Sequence, residues 1–178
     1  MPFEFIKMQI PEIILIVPKI FKDDRGFFME IYKKSDFEKN GIKEEFIQDN
    51  YSYSIKGVLR GLHFQKEPYS QAKIIKCIKG EIFDVAVDIK KNSPTYGKWI
   101  SIILSENNHY MLYIPTGFAH GFLTLSDTAG VQYKTSCEYM PQFEAGIIWN
   151  DPDINIKWPD NNAIVSSKDS KLSMLKNI

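Results

Sequence analysis

Apolar and polar residues alternate over short stretches along most of the chain. The clearest case is residues 83–89, where Phe, Val, Val and Ile alternate with Asp, Ala and Asp. A period of two is typical of a strand that buries one face, and short apolar runs between turn residues are typical of fully buried strands. The pattern predicts about ten strands, over residues 13–17, 27–32, 46–54, 58–64, 73–78, 83–89, 98–104, 110–114, 118–126 and 130–137.

Helical periodicity is almost absent. Ser35 and Glu38 match a capping box, which predicts a short helix over residues 36–40 with the serine as its N-cap. A second short helix is the most that residues 166–169 support. Many short strands with regularly spaced turns predict an all-β sandwich or barrel. Because no internal repeat or long linker divides the sequence, we expect a single domain over residues 1–178.

Composition and charge limit the classes of function. Lys and Arg together number 22, as do Asp and Glu, so the formal net charge is zero, which argues against a broad surface for nucleic acid or anionic membranes. Cys77 and Cys137 belong to no CxxC motif, so neither a disulfide framework nor a zinc signature is indicated. The apolar run at residues 13–17 is too short for a signal peptide or a membrane span. We therefore expect a cytoplasmic protein that binds neither nucleic acid nor membrane.

The candidate chemistry centres on residues 60–65, which read Arg-Gly-Leu-His-Phe-Gln. His63 lies in this predicted strand, and the near-neutral reference pKa of imidazole makes it a candidate proton-transfer group. The alternative is a core histidine that is satisfied by hydrogen bonds. Upstream, Gln48 and Asn50 lie on one face of the strand predicted over residues 46–54. Such a polar face is more typical of the lining of a cavity than of a core.

Four other polar residues are further candidates. His120 lies beside Gly121, where a backbone can come close to a ligand, although a simple turn residue is the alternative. Asp169 is a late carboxylate that could orient a histidine. Lys73 and Tyr133 lie in predicted strands, and each has a structural alternative, as a solvated lysine and as a core tyrosine.

The sequence gives little support for a metal site or a dinucleotide fold. The three histidines, His63, His109 and His120, show no His-x-His spacing. His109 follows two asparagines in a predicted turn, so we expect it at the surface. Neither a GxGxxG motif nor a P-loop occurs. We therefore expect no metal ligands.

Several motifs occur in an order that is typical of one protein family. They are Arg25–Phe28, Gln48–Asn50, Arg60–Gln65, Gly80–Asp88, Ile114–Phe122, Tyr133–Lys134 and Trp149–Pro152. Through these motifs, residues 10–170 resemble the dTDP-4-dehydrorhamnose 3,5-epimerases. The resemblance implies a cupin jelly roll with a few short peripheral helices, a homodimer, and no metal or organic cofactor. It also implies a substrate, a nucleoside-diphosphate 4-keto-6-deoxy sugar, that is inverted at C3 and C5.

The resemblance further implies roles for five residues in an enolate mechanism. His63 would be the base, and Tyr133 would be the acid on the opposite face of the sugar. Asp169 would orient His63 and raise its basicity. Lys73 would stabilise the enolate charge beside the C4 oxygen. Asp84 would form an ion pair with Lys73 and keep it charged.

Substrate contacts are implied in the same way. Arg60 would bind the diphosphate, since its planar fork matches phosphate oxygens. Phe28 and Tyr139 would stack on the base. The other implied contacts to nucleotide or sugar, some of them across the dimer interface, are Arg25, Glu30, Gln48, Asn50, His120, Glu144 and Lys168.

The sequence departs from the family pattern around the expected pocket, at residues 51–54, 67–72 and 137–140. These departures leave open whether the base is thymine or guanine and whether the sugar is a hexose or a heptose. They also leave open inversion at C3 alone, at C5 alone, or at both carbons. Two alternatives of other classes remain at this point: a metal-dependent cupin oxygenase and a non-catalytic cupin that binds a sugar nucleotide.

Overall fold

The computed structural model describes residues 2–178 and consists mainly of β-strands, which we number along the chain. The first sheet contains six strands, and every neighbouring pair in it is antiparallel. In spatial order they are β1 (Phe3–Lys7), β2 (Ile14–Pro18), β10 (Met111–Ile114), β7 (Lys73–Lys79), β12 (Thr128–Thr135) and β5 (Gln48–Ile55).

The second sheet packs on the first and is antiparallel except at one edge. In spatial order its strands are β13 (Glu144–Gly146), β6 (Val58–Gln65), β11 (Phe118–Thr124), β8 (Glu81–Asp88) and β9 (Trp99–Ser105), and β14 (Ile164–Val165) pairs parallel with β6. A separate hairpin is formed by β3 (Phe21–Asp23) and β4 (Gly26–Phe28). The helical elements are α1 (Lys34–Lys39) and 3₁₀ turns at Pro141–Phe143, Asp169–Lys171 and Leu175–Asn177.

The main core lies between the two sheets. Ile75 and Val131 of the first sheet pack there with Ile82 and Leu104 of the second, and all four are fully buried. Each fully buried aliphatic side chain contributes about 1.5–3 kcal/mol relative to exposure. The alternating residues Val85 and Val87 of β8 lie on the other face of that strand and belong to the outer cluster of the second sheet.

Two smaller apolar clusters cover the outer faces of the sheets. On the first sheet, Phe37 of α1 packs with Ile74 of β7. On the second sheet, Trp158 and Leu175 of the C-terminal segment belong to one cluster with strand residues. The buried Asp151 carboxylate anchors this segment, because its Oδ2 accepts the Leu175 backbone N–H at 2.7 Å. The second sheet is thereby covered on both faces.

The all-β prediction is confirmed, but two local predictions are wrong and strand β1 is missing from the predicted set. Residues 29–33 form no strand, since the hairpin ends at Phe28 and offers no further strand for pairing. Strand β1 was not predicted, although it pairs with β2 along its whole length. The helix begins at Lys34 with Lys33 as its N-cap and without a side-chain cap, so Ser35 lies inside its first turn.

Over residues 2–178, no helix is both long enough and apolar enough to cross a bilayer.

Candidate active site

A cavity of about 680 Å³ lies between the sheets and contains most of the residues singled out in the sequence. Both sheets contribute polar side chains to its walls, and two loops contribute the rest. The predicted site residues that line it are Gln48, Asn50, Arg60, His63, Lys73, His120, Tyr133, Tyr139, Glu144, Lys168 and Asp169. The prediction that the polar face of β5 lines a cavity is confirmed.

His63 and Asp169 form a hydrogen-bonded pair on one wall. The distance from His63 Nε2 to Asp169 Oδ1 is 2.7 Å. The other carboxylate oxygen accepts the Gly61 backbone N–H at 3.2 Å. Burial raises the pKa of the Asp169 carboxyl, but the hydrogen bonds from His63 and Gly61 outweigh this and hold that pKa below its usual value. Since the carboxylate is ionised, it favours a proton on Nε2 of His63 and leaves Nδ1 as the basic nitrogen.

Ser166 supports this pair and was not recognised as part of the site from the sequence. Its Oγ accepts the Asp169 backbone N–H at 3.0 Å, at the start of the 3₁₀ turn that carries the carboxylate. A serine three residues before an aspartate is a local capping pattern that could have indicated this contact. The Asp169 carboxylate is thus positioned by the Ser166 contact within its own turn and by Gly61 and His63 of strand β6.

Two glycines allow β6 and β11 to approach closely beside the cavity. Gly61 has a φ of +127°, and a Cβ atom there would lie 2.6 Å from Gly121 Cα. A Cβ atom on Gly121 would lie 2.7 Å from the Arg60 carbonyl oxygen. These distances are too short for real contacts, so neither position accepts a larger residue without a backbone shift. In this arrangement His63 and His120 are direct cross-strand partners.

Tyr133 lines the cavity from the other sheet. It lies on β12, whereas His63 lies on β6, so the two side chains enter the cavity from opposite walls. Burial raises the pKa of the Tyr133 phenol above its ordinary value, and the nearby Arg60 opposes this only in part. The phenol is therefore protonated at neutral pH and is available as a proton donor.

Lys73 is buried in the cavity wall, with 8% of its surface exposed, so the alternative of a solvated lysine is wrong. Its Nζ donates a hydrogen bond to the His63 carbonyl oxygen at 3.3 Å. Burial lowers the pKa of Lys73 to about 8, although the charges of Asp84 and Glu144 act in the opposite direction. The ammonium group is thus poorly solvated and lacks a carboxylate in direct contact among residues 2–178.

The predicted ion pair between Asp84 and Lys73 is wrong. Asp84 Oδ2 instead contacts Nε2 of His120 at 2.9 Å. On neighbouring strands β8 and β11, His120 pairs with Ala86, so Asp84 is its diagonal neighbour on the same face. Lys73 lies on the opposite sheet and interacts with Asp84 only over a longer distance. The alternative of His120 as a turn residue is also wrong, because it lies within β11.

At one side of the cavity, two side chains converge on a single carboxylate oxygen of Glu144. Glu144 Oε2 accepts hydrogen bonds from the Tyr139 hydroxyl and from Lys168 Nζ, both at 2.5 Å. Gln48 joins the same wall, since its Oε1 accepts the Tyr139 backbone N–H at 2.8 Å and its Nε2 donates to Asn50 Oδ1 at 2.8 Å. These contacts link strand β5, the loop after β12 and the C-terminal segment around the cavity.

Arg60 is positioned by two hydrogen bonds and retains free donors. Its Nε donates to Ser54 Oγ at 3.0 Å, and its Nη2 donates to the Tyr53 carbonyl oxygen at 3.2 Å. The side chain is exposed and lines the cavity. A guanidinium group with free N–H donors in this position is suited to bind phosphate oxygens.

Three predicted substrate contacts lie outside the cavity of their own chain. Arg25 is at the tip of the β3–β4 hairpin, where it forms a salt bridge with Asp23 at 2.6 Å and 90% of its side chain is exposed. Phe28 is 64% exposed at the end of the hairpin. Glu30 follows it, and its buried Oε2 has no hydrogen-bond partner within residues 2–178.

His109 differs from its predicted surface position. The ring is only partly exposed, because Phe27 of the hairpin lies over it with a centroid distance of 5.0 Å. Over the described residues, no cluster of three or more His, Cys, Asp or Glu side chains is arranged to hold a metal ion.

The sequence model of the dTDP-4-dehydrorhamnose 3,5-epimerases matches residues 7–177. The chain belongs to this family. It is 54% identical over 165 residues to the dTDP-4-dehydrorhamnose 3,5-epimerase of Shigella flexneri, an alignment that covers 92% of this chain and 91% of the relative. The predicted family, the cupin-type β fold and the assignment to sugar-nucleotide isomerases are therefore confirmed.

Solved structures agree with this assignment. The dTDP-6-deoxy-D-glucose-3,5-epimerase of Legionella pneumophila, in complex with dTDP-4-keto-L-rhamnose, superposes with a TM-score of 0.95 at 44% identity and covers 99% of this chain and 94% of its own. A 3′-monoepimerase from Streptomyces bikiniensis, in complex with dTDP-quinovose, has a TM-score of 0.89 at 31% identity and covers 95% and 86%. Members of this epimerase fold thus include a monoepimerase.

Proposed function

We propose that this protein inverts C3 and C5 of a dTDP-4-keto-6-deoxyhexose through an enolate, without a cofactor, in the synthesis of a deoxysugar. One observation carries the proposal: His63, paired with Asp169, and the protonated Tyr133 enter the same cavity from opposite sheets. Inversion at carbon requires a base on one face and an acid on the other.

In the proposed mechanism, Nδ1 of His63 removes the proton from the carbon next to the C4 ketone. The electron pair of the broken C–H bond forms the enolate, and Tyr133 delivers a proton to the opposite face of that carbon. His63 then releases its proton to solvent and Tyr133 regains one, so the reaction is redox-neutral. Asp169 keeps the proton of neutral His63 on Nε2, away from the sugar.

Lys73 is proposed to stabilise the enolate. Its ammonium group is desolvated in the cavity wall, where a charge interacts more strongly with a developing oxyanion than it would in water. With the C4 oxygen beside Nζ, the same charge stabilises the enolate formed at either neighbouring carbon, C3 or C5. A single seating of the ketone can therefore serve two inversions.

The remaining cavity residues are proposed to bind the nucleotide and the sugar. Arg60 binds the diphosphate, and Tyr139 stacks on the base. The polar groups that contact sugar or nucleotide are Gln48, Asn50, His120, Glu144 and Lys168. Thymine is favoured as the base, because the ligands of the Legionella and Streptomyces proteins are dTDP sugars.

A homodimer is proposed to complete the site. The hairpin exposes Phe21, Phe27 and Phe28, and the edge strand β5 exposes Tyr51 and Tyr53. Exposed aromatic residues on one sheet and its hairpin are typical of an association surface. In such a dimer, Arg25, Phe28 and Glu30 would reach the cavity of the partner subunit. We place the enzyme in the cytoplasm.

A monoepimerase is the second candidate, since the similar Streptomyces bikiniensis protein is a 3′-monoepimerase. Incubation of the enzyme with dTDP-4-keto-6-deoxyglucose in D2O, followed by NMR, separates the possibilities. Deuterium at both carbons supports the double inversion, and deuterium at C3 or C5 alone identifies a monoepimerase. His63→Ala should abolish exchange at both carbons. Absence of exchange from dTDP and GDP 4-keto sugars with the wild-type enzyme would refute the proposed function.

A further inference from the structure

The cavity contains a second imidazole–carboxylate pair beside the first. His120 and His63 are direct cross-strand partners on β11 and β6, and each places its Nε2 against a different buried aspartate. The pair of His120 is the more deeply buried of the two, with 8% of the histidine and none of Asp84 exposed. The proposed mechanism uses the first pair as the base and names His120 only as a substrate contact, so Asp84 has no role in it.

Asp84 is bound to His120 alone among the described residues. Its Oδ2 contacts the imidazole at 2.9 Å, whereas its Oδ1 is buried and has no hydrogen-bond partner within residues 2–178. A buried carboxylate with one unpaired oxygen is costly to maintain. Such a group is more readily explained by an effect on its one partner than by a contribution to stability.

The tautomer of His120 follows from this contact. With Asp84 ionised, Nε2 must carry the proton that it donates to Oδ2. Nδ1 of the neutral ring is then an acceptor, and it has no hydrogen-bond partner over the part of the chain that the structure describes. Burial raises the pKa of the Asp84 carboxyl above its ordinary value, whereas the contact with His120 and the positive charge of Lys73 on the opposite sheet act in the other direction and favour the ionised form.

We propose that Asp84 is a positioning residue that acts through His120: it holds the imidazole as the neutral Nε2–H tautomer, so that Nδ1 accepts a hydrogen bond from a sugar hydroxyl in the cavity. This inference rests on the proposed function. An acceptor on Nδ1 attracts a hydroxyl group and repels a carbonyl oxygen. His120 therefore disfavours the orientation of the sugar in which the ketone faces β11. The C4 oxygen is directed instead toward Lys73, which can donate a hydrogen bond to it.

The tautomer can be measured directly. NMR of the wild-type protein labelled with ¹⁵N-histidine should show His120 as a neutral Nε2–H ring at neutral pH. Asp84→Asn should convert it wholly or partly to the Nδ1–H form, because an amide N–H can donate to Nε2. Asp88→Asn is a matched control, since Asp88 is equally buried on β8 but its carboxylate bonds only Lys90, Ser93 and Thr95 within residues 2–178. A protonated ring or an Nδ1–H ring in the wild type would overturn the proposal, even if a variant fails to fold.

A double-mutant cycle tests the catalytic consequence. His120→Gln retains a donor for Asp84 but removes the Nδ1 acceptor, and it should lower kcat/KM about 10- to 100-fold, as expected for one strong hydrogen bond. Asp84→Asn should lower the pH-independent plateau of kcat/KM to a similar extent. If Asp84 acts through His120, the double variant should lose little more than His120→Gln alone. If the fold-loss in kcat/KM of the double variant equals the product of the two single losses, the proposal is refuted.

The pH profile separates this effect from an effect on Lys73. Asp84 and Glu144 raise the pKa of Lys73, so Asp84→Asn should also move the alkaline limb of the profile to lower pH. A shifted limb with an unchanged plateau would mean that Asp84 acts through Lys73 only, and would overturn the proposal. If the wild-type enzyme itself shows no exchange at C3 or C5, the proposed function fails, while the NMR experiment still decides the tautomer.

Discussion

Replacement of Lys73 by Met should make the protein more stable and abolish its activity. The lysine is buried on β7, and burial lowers its pKa from 10.5 to about 8. The unfolded chain has the ordinary, higher value. At neutral pH both states are protonated, and the native state bears the full cost of holding the charge away from water.

The size of this effect follows from the two pKa values. A change from 10.5 to about 8 corresponds to roughly 3 kcal/mol. Met lacks the hydrogen bond to the His63 carbonyl oxygen, which offsets about 1 kcal/mol. We therefore expect a net gain of about 2 kcal/mol, or roughly 4–8 °C in Tm for a chain of this length.

The sign of the pH dependence is also fixed. As pH rises from about 8 to 10.5, the native state releases the Lys73 proton while the unfolded state keeps it, so the contribution of this group to stability increases with pH. The stability advantage of Lys73→Met should shrink over the same interval. Activity has the opposite trend, because only the protonated amine stabilises the enolate, so kcat/KM should fall as pH rises through about 8.

Thermal unfolding and kcat/KM, both measured as a function of pH, provide the test. Lys76→Met is the matched control: Lys76 lies on the same strand, is also 8% exposed and has a pKa lowered by burial, but it does not line the cavity. This variant should gain stability and keep its activity. A Lys73→Met protein that is no more stable than wild type, or wild-type activity that stays constant well above pH 8, would refute the reasoning.

Three further predictions concern the same cavity. Asp169→Asn should lower the rate of deuterium exchange by about 10³- to 10⁴-fold without unfolding the protein, because the amide favours the wrong tautomer of His63; retention of more than a tenth of the rate would contradict the pairing role. Tyr133→Phe should reduce inversion far more than exchange, measured by NMR in D2O, and equal losses would argue against its role as the second-face acid. Gly121→Ala should lower Tm and activity together, since the new Cβ would lie 2.7 Å from the Arg60 carbonyl oxygen; an unchanged Tm would show that β6 and β11 can separate without cost.

Alternation along the chain was sufficient to predict most strands. Val85 and Val87 recur every second residue on one face of β8, whereas Ala86 lies on the other face, and this period is imposed by the pleat of a strand whatever its partners are. The polar face of Gln48 and Asn50 was predicted to line a cavity for the same reason. Local signals were less reliable. The capping box at Ser35 was not used, because the helix begins one residue before it.

The order of motifs in the sequence also determined the family, since each motif requires particular residues at fixed spacing. The tertiary structure alone decided which basic side chain each carboxylate contacts. Asp84 contacts His120 rather than Lys73, because the register between β8 and β11 makes the first two diagonal neighbours, while Lys73 lies on the other sheet. Strand pairing and the packing of two sheets are set by contacts between residues far apart in the chain. A one-dimensional pattern therefore identifies the residues of this cavity but does not determine their partners.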